Sequence, residues 1–91
     1  DGVWLVNTAR GPLVNEPDLV AALESGKVGA YATDVVTGEP ISPNNPLLRA
    51  KNCFITPHIA WSTKECRERL VDVTAENVKA FLDGSPINVV N

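Results

Sequence analysis

Three side chains that could together handle a small organic acid each follow a short apolar segment. They are Arg10, Glu39 and His58, the only histidine of the chain. An arginine guanidinium binds a carboxylate through two parallel hydrogen bonds, and an imidazole exchanges protons at neutral pH. A neighbouring carboxylate would fix the tautomer of that imidazole. The trio therefore indicates acid–base chemistry on an α-keto or α-hydroxy acid.

Each of these residues also has an ordinary interpretation when it is taken alone. Arg10 could be a surface charge, Glu39 a solvated loop acid, and His58 a loop residue with a satisfied hydrogen bond. Asp34 directly follows a run of small residues, and it could cap a turn or accept a hydrogen bond from an amide of a bound ligand. The prediction of a site rests on their joint occurrence at the ends of predicted strands.

Metal and disulfide chemistry have weaker support. One histidine and two separated cysteines, Cys53 and Cys66, do not supply the usual ligands of a zinc site, so no metal is predicted. The cysteines are predicted to be free, buried thiols of a cytosolic protein, with a disulfide or redox role as the alternative.

Apolar patterning predicts three strands, over residues 3–6, 29–33 and 53–56. Pro, Gly and Asn predominate between 34 and 52, which predicts a loop with one helical turn near Leu47–Arg49.

Two helices are predicted from their end signals. The first is capped by Asn15, has acids and a proline in its first turn, and ends at Gly26. The second opens at Ser62, where Ser62–Glu65 fits a capping box, and it ends at Gly84.

The order of these elements predicts an α/β fold, a partial Rossmann-like parallel sheet of about three strands with flanking helices and a long C-terminal helix. The carboxyl ends of parallel strands meet at one rim, which is where such sheets bind ligands. One edge of so small a sheet would expose an apolar row. We therefore expect the chain to be the second half of a larger sheet.

The composition of the chain argues against some classes of function. The chain has 91 residues, 44% of them hydrophobic, a net charge of −3 and no methionine. That charge argues against nucleic-acid binding, and no apolar run has the length of a membrane span. The missing start residue suggests a processed or truncated chain.

Three motifs resemble those of one known family. They are Asn7–Gly11, Asp34-Val35 with Glu39-Pro40, and Thr56–Ala60. They resemble the motifs of the NAD(P)-dependent D-2-hydroxyacid dehydrogenases, and within that family they are most similar to the glycerate dehydrogenase/hydroxypyruvate reductase branch. The resemblance implies that residues 1–91 form the C-terminal portion of the NAD(P)-binding domain, with 62–91 leading back toward a substrate domain.

The resemblance also implies a role for each matching residue. Arg10 would hold the substrate carboxylate and carbonyl, His58 would be the acid/base, and Glu39 its partner acid. Asp34 would bind the nicotinamide carboxamide. The residues implied at the nicotinamide end of the cofactor, NAD or NADP, are Thr8, Ala9, Arg10, Asp34, His58, Ala60 and Trp61.

The chain departs from the family pattern in one respect. The glycine-rich dinucleotide fingerprint does not occur in these residues, so we expect the 91 residues to be inactive alone. The full-length parent is expected to be a cytoplasmic homodimer that interconverts a 2-oxo acid and a D-2-hydroxy acid by hydride transfer. The alternatives are a non-catalytic, self-associating remnant and a dehydrogenase-like corepressor.

Overall fold

The computed structural model describes all 91 residues. Contacts divide them into two compact units, Asp1–Ala60 and Trp61–Asn91. The first unit has a three-stranded sheet, one α-helix and two 3₁₀ turns, and the second has one long α-helix. The elements are β1 (Val3–Asn7), a 3₁₀ turn (Gly11–Leu13), α1 (Glu16–Ser25), β2 (Val28–Thr33), a second 3₁₀ turn (Pro46–Arg49), β3 (Cys53–Ile55) and α2 (Lys64–Leu82).

The sheet is parallel, with β2 between β1 and β3. Tyr31 of β2 pairs with Leu5 on one side and with Cys53 on the other. Because all three strands run in the same direction, their carboxyl ends meet at one rim. The predicted fold class, a partial Rossmann-like parallel sheet, is confirmed.

Helix α1 begins and ends at the residues that the sequence indicates. The Asn15 side chain accepts a hydrogen bond of 3.2 Å from the amide of Asp18. Gly26 adopts φ 77° at the C-terminal end, in the left-handed region that glycine enters without steric cost. The start of the helix is therefore fixed a short distance after the loop that carries Arg10.

The core of the first unit lies between α1 and one face of the sheet. Parallel pairing places the side chains of Leu5, Tyr31 and Cys53 on this face, since paired residues point the same way. The buried apolar cluster draws on α1, β2, the loop after β2 and the second 3₁₀ turn, and consists of Leu19, Leu23, Val28, Tyr31, Val36 and Leu47.

The opposite face of the sheet is apolar and open. It carries Trp4, Val6 and Phe54, which are 80%, 75% and 65% exposed, around the small residues Ala30 and Ala32. The sequence predicts an exposed apolar row on this sheet, and the structure shows that row as a whole face rather than only an edge.

The second unit differs from the prediction at its first turn. Helix α2 is capped by Thr63, whose side chain accepts a hydrogen bond of 3.2 Å from the amide of Cys66. The predicted capping box at Ser62 is wrong, because its glutamate, Glu65, lies one residue too early to pair with this cap. Neither α-helix combines the length and hydropathy of a membrane-spanning segment.

Both cysteines are free, as predicted, but they are only half-buried. The prediction of buried thiols is wrong because Cys53 lies on the short edge strand β3 and Cys66 on the first turn of α2. Partial burial, with a smaller effect from the nearby charge of Glu16, raises the pKa of the Cys53 thiol. This thiol therefore stays protonated at neutral pH.

Replacement of Leu23 tests the core of the first unit. Leu23 is 1% exposed, so Leu23→Ala should lower the free energy of unfolding by about 2–5 kcal/mol through lost burial and a residual cavity. Leu13→Ala is the matched control, because Leu13 is 72% exposed and its loss should change stability by less than about 0.5 kcal/mol. Urea denaturation of the protein that carries this chain measures both, and equal effects would contradict this description of the core.

Candidate active site

The turn after β1 is shaped by a buried side chain, Asn7. Its Oδ1 accepts a hydrogen bond of 3.0 Å from the amide of Ala9, and its Nδ2 donates one of 2.9 Å to the carbonyl of Arg10. The Arg10 guanidinium is exposed, and its Nη1 donates a bond of 2.7 Å to the carbonyl of Ala9. Asn7 therefore fixes the backbone that presents Arg10 at the rim.

The end of β2 is tied to the end of β1. The amide of Asp34 donates a hydrogen bond of 2.9 Å to the carbonyl of Asn7. The Thr33 hydroxyl lies 2.5 Å from the carbonyl of Val35 and accepts a bond of 3.2 Å from the Val35 amide. These contacts turn the chain sharply after β2 and hold the Asp34 side chain at the rim.

The Asp34 carboxylate organises the loop after β3. Its Oδ1 accepts hydrogen bonds of 2.5 Å from the Thr56 hydroxyl and 2.9 Å from the Ile59 amide, and its Oδ2 accepts one of 2.8 Å from the Ala60 amide. The Thr56 hydroxyl, followed by these amides, lowers the pKa of Asp34 against the opposing effect of burial. Asp34 is therefore ionised at neutral pH, which suits an acceptor of several hydrogen bonds.

His58 has an unusual backbone conformation. Its φ is 57°, in the left-handed region, and it follows Pro57. A residue other than glycine held there costs of the order of 1–3 kcal/mol, which surrounding contacts must offset. The bonds from Asp34 to the next two amides provide such contacts. The loop after β3 is thus held in a strained form that presents the imidazole.

Glu39 and His58 form a direct pair. Nδ1 of His58 lies 2.6 Å from Oε2 of Glu39, and Oε1 of Glu39 accepts a hydrogen bond of 3.2 Å from the Val36 amide. The bond with His58 is the largest cause of a lowered pKa for Glu39. An ionised carboxylate can only accept, so Nδ1 carries the proton of this bond. Glu39 therefore selects the tautomer of the imidazole.

The charge of Arg10 also reaches this pair. Its positive charge is the smallest of the causes that lower the pKa of Glu39, and it acts at a distance rather than through a direct ion pair. The structure therefore brings Glu39 and His58 into contact and places Arg10 near them.

A cleft opens beside the Glu39–His58 pair. It has a volume of about 570 Å³ and is mostly apolar. Its walls combine the site residues with the loop after β2 and with β3, and include Asp34, Val36, Pro40, Ile41, Leu48 and Ile55.

The residues that the sequence assigns to the cofactor fall into two sets. Thr8 and Ala9 lie in the turn after β1, and Asp34 is hydrogen-bonded to the amide of Ala60. Trp61 is the first residue of the second unit and is 55% exposed. The first unit thus collects at its rim every predicted cofactor residue except Trp61.

Sequence reasoning includes two residues in its motifs but assigns neither of them its role in shaping the site. Asn7 and Thr56 both end apolar runs, and each side chain serves a loop through hydrogen bonds. A polar residue with a short side chain at the end of a strand is the only local signal for either role. No group of three or more His, Cys, Asp or Glu side chains is arranged to hold a metal ion.

Known proteins are similar to this chain in sequence and in fold. Hydroxypyruvate reductase of Blautia hydrogenotrophica is 60% identical over the whole chain, and glycerate dehydrogenase of Methylorubrum extorquens is 47% identical over 94% of it. The chain spans only 28% of the length of each of these relatives.

The crystal structure of a D-isomer specific 2-hydroxyacid dehydrogenase from Xanthobacter autotrophicus, in complex with NADPH and MES, superposes with a TM-score of 0.70 at 34% identity. The match covers 99% of this chain and 37% of that one. Residues 1–60, the whole first unit, match the family model described as the NAD binding domain of D-isomer specific 2-hydroxyacid dehydrogenases. The chain therefore belongs to the D-isomer specific 2-hydroxyacid dehydrogenase family.

Proposed function

We propose that the protein containing this chain is an NAD(P)-dependent oxidoreductase that interconverts a 2-oxo acid and a D-2-hydroxy acid. The observation that carries the proposal is the 2.6 Å contact between His58 and Glu39 at the strand-end rim, with Arg10 nearby. The names of the two relatives support hydroxypyruvate and D-glycerate as the substrate pair.

Arg10 is proposed to hold the substrate. Its exposed guanidinium can bind a carboxylate with two parallel hydrogen bonds, which fixes both the position and the orientation of a small acid. The Asn7 side chain binds the Ala9 amide and the Arg10 carbonyl, so the backbone from which the guanidinium extends has a defined position.

His58 is proposed to exchange the proton. Because Nδ1 is engaged by Glu39, the proton passes through Nε2, from the imidazolium to the carbonyl oxygen of the 2-oxo acid. In the reverse direction Nε2 accepts the hydroxyl proton of the 2-hydroxy acid. Glu39 stabilises the imidazolium and keeps the ring in one orientation.

The rim fits a nicotinamide cofactor, which when bound would supply the hydride for C2 of the substrate. Asp34 Oδ2 accepts a hydrogen bond from the Ala60 amide, and a carboxylate oxygen can accept a second. This acceptor suits the carboxamide of a nicotinamide. The turn at Thr8 and Ala9 is exposed on the same rim.

The proposal also covers the cellular compartment and the oligomeric state of the whole protein. Free thiols at Cys53 and Cys66 are typical of a reducing compartment, which supports the cytoplasm. A homodimer is proposed from the family resemblance alone, and the oligomeric state stays a prediction.

Replacement of His58 tests the acid/base role. His58→Asn removes the imidazole, while asparagine tolerates the left-handed backbone better than most residues do. We expect kcat for hydroxypyruvate reduction by the complete protein to fall roughly 10²- to 10⁴-fold, with little change in the affinity for NADH measured by fluorescence. Wild-type kcat in this variant would refute the assignment.

Replacement of Asp34 tests whether its ionised carboxylate stabilises the loop that carries His58, by the pH dependence of the Tm. Its folded pKa lies below the usual value, so its contribution to stability is present at neutral pH and is lost as pH falls through the folded pKa. Asp34→Asn turns Oδ2 into a donor that faces the Ala60 amide. We expect the Tm difference between wild type and this variant to be largest at pH 7 and to shrink below about pH 4.

Thr56→Val is the companion variant for this test. It removes the hydroxyl that most lowers the pKa of Asp34, and valine has almost the same shape as threonine. We expect it to weaken the same pH dependence partially. A Tm difference for Asp34→Asn that stays constant from pH 7 to pH 3 would show that the carboxylate does not support the loop in its ionised form.

A further inference from the structure

Glu16 is a buried carboxylate, and its place at the start of a helix does not explain why it is buried. It occupies the first position of α1 and is only 8% exposed, whereas Asp18 in the same turn is exposed. Any acid in this turn interacts favourably with the helix dipole, and that interaction does not require burial. A buried carboxylate is costly unless hydrogen bonds satisfy it, so the contacts of Glu16 indicate a further role.

The two oxygens of Glu16 bind two different parts of the loop that connects β2 to β3. Oε1 accepts a hydrogen bond of 2.7 Å from the Thr37 amide. Oε2 accepts one of 2.9 Å from Nδ2 of Asn45, which is itself buried. Oδ1 of Asn45 accepts a bond of 2.9 Å from the Leu47 amide and so caps the second 3₁₀ turn. One carboxylate thus joins α1 to both ends of the segment that contains Glu39.

Gly11 holds the same loop from the other side. A Cβ at Gly11 would lie 2.1 Å from the carbonyl carbon of Val36, 2.2 Å from its oxygen and 2.4 Å from the Thr37 nitrogen. The peptide group between Val36 and Thr37 is therefore in direct contact with the residue after Arg10, and its N–H donates to Glu16. The preceding amide, that of Val36, donates to Glu39.

From this geometry we propose that Glu16 is a positioning residue for the Glu39–His58 pair. It acts through the Val36–Thr37 peptide, which it fixes against Gly11, and it thereby sets the place of Glu39 relative to both Arg10 and His58. This inference rests on the proposed function, because its effect on rate passes through the proton transfer by His58.

Glu16→Gln is the central variant of the test. The glutamine oxygen can still accept from Thr37, but its amide nitrogen would face the Nδ2 donor of Asn45. We expect kcat of the complete protein for hydroxypyruvate reduction to fall about tenfold, since small misplacements of reacting groups cost rate, with little change in NADH affinity. Asp18→Asn removes the same charge from the same turn and should leave kcat within about twofold of wild type.

A second substitution can rebuild the lost hydrogen bond. In the double variant Glu16→Gln/Asn45→Asp, carboxylate and amide exchange places, so the new amide donates to the new carboxylate and the Leu47 amide keeps an acceptor. We expect this variant to recover most of the kcat. Asn45→Asp alone sets two carboxylates against each other and should lose activity as Glu16→Gln does, so it replaces that variant if Glu16→Gln does not fold.

A double-mutant cycle with His58→Asn separates positioning from general destabilisation. If Glu16 acts through His58, Glu16→Gln should reduce kcat little further once the imidazole is absent. A lowered folded fraction would instead multiply the two losses, and Tm measurements on each variant monitor that fraction. Multiplied losses, or a wild-type kcat for Glu16→Gln, would overturn the positioning role. A wild-type kcat for His58→Asn would overturn the proposed function itself.

Discussion

The ionised carboxylate of Asp34 is the contact on which the site most depends. It follows β2 but accepts its three hydrogen bonds from the segment after β3. Parallel pairing brings these strand ends to one rim, and Asp34 converts that proximity into a defined loop. The left-handed backbone of His58 persists because the two amides that follow it are held by the same side chain.

The site is built in layers of hydrogen bonds that start from buried polar residues. Asn7 shapes the turn before Arg10, Asp34 shapes the loop around His58, and Glu16 fixes the loop before Glu39. Arg10, Glu39 and His58 are half-exposed or exposed, while these three supporting residues are buried. Such a division is expected on physical grounds, since buried, fully bonded groups hold geometry better than solvated ones.

The sequence predicts the fold class, the parallel sheet and the helix α1 well, because local signals agree there. Asn15 and Gly26 are unambiguous caps, and the apolar runs are too short for helices. The start of α2 is less predictable, since Ser62 and Thr63 are both good caps and only the backbone decides between them. Partial exposure of Cys53 also depends on its position at the sheet edge, which its apolar neighbours in the sequence do not reveal.

Motif order predicts Arg10, Glu39 and His58 as one group, and the structure joins the last two directly. The supporting role of Glu16 is different. An acid at a helix start has a sufficient local explanation, and its partners Thr37 and Asn45 lie 21 and 29 residues away. Hydrogen bonds between residues this far apart produce no repeating pattern in a single sequence, so they cannot be predicted from it.

The absence of a side chain at Gly11 has a consequence for how this site can change. The loops that carry Arg10 and Glu39 touch through backbone atoms at Gly11, so neither loop can move toward the other without a clash. A substitution that shifts the turn at Gly11 toward the other loop would therefore also disturb the contact between Glu39 and His58. Leu48 on the wall of the cleft is half-exposed and takes no part in this backbone contact, so its size can vary more freely.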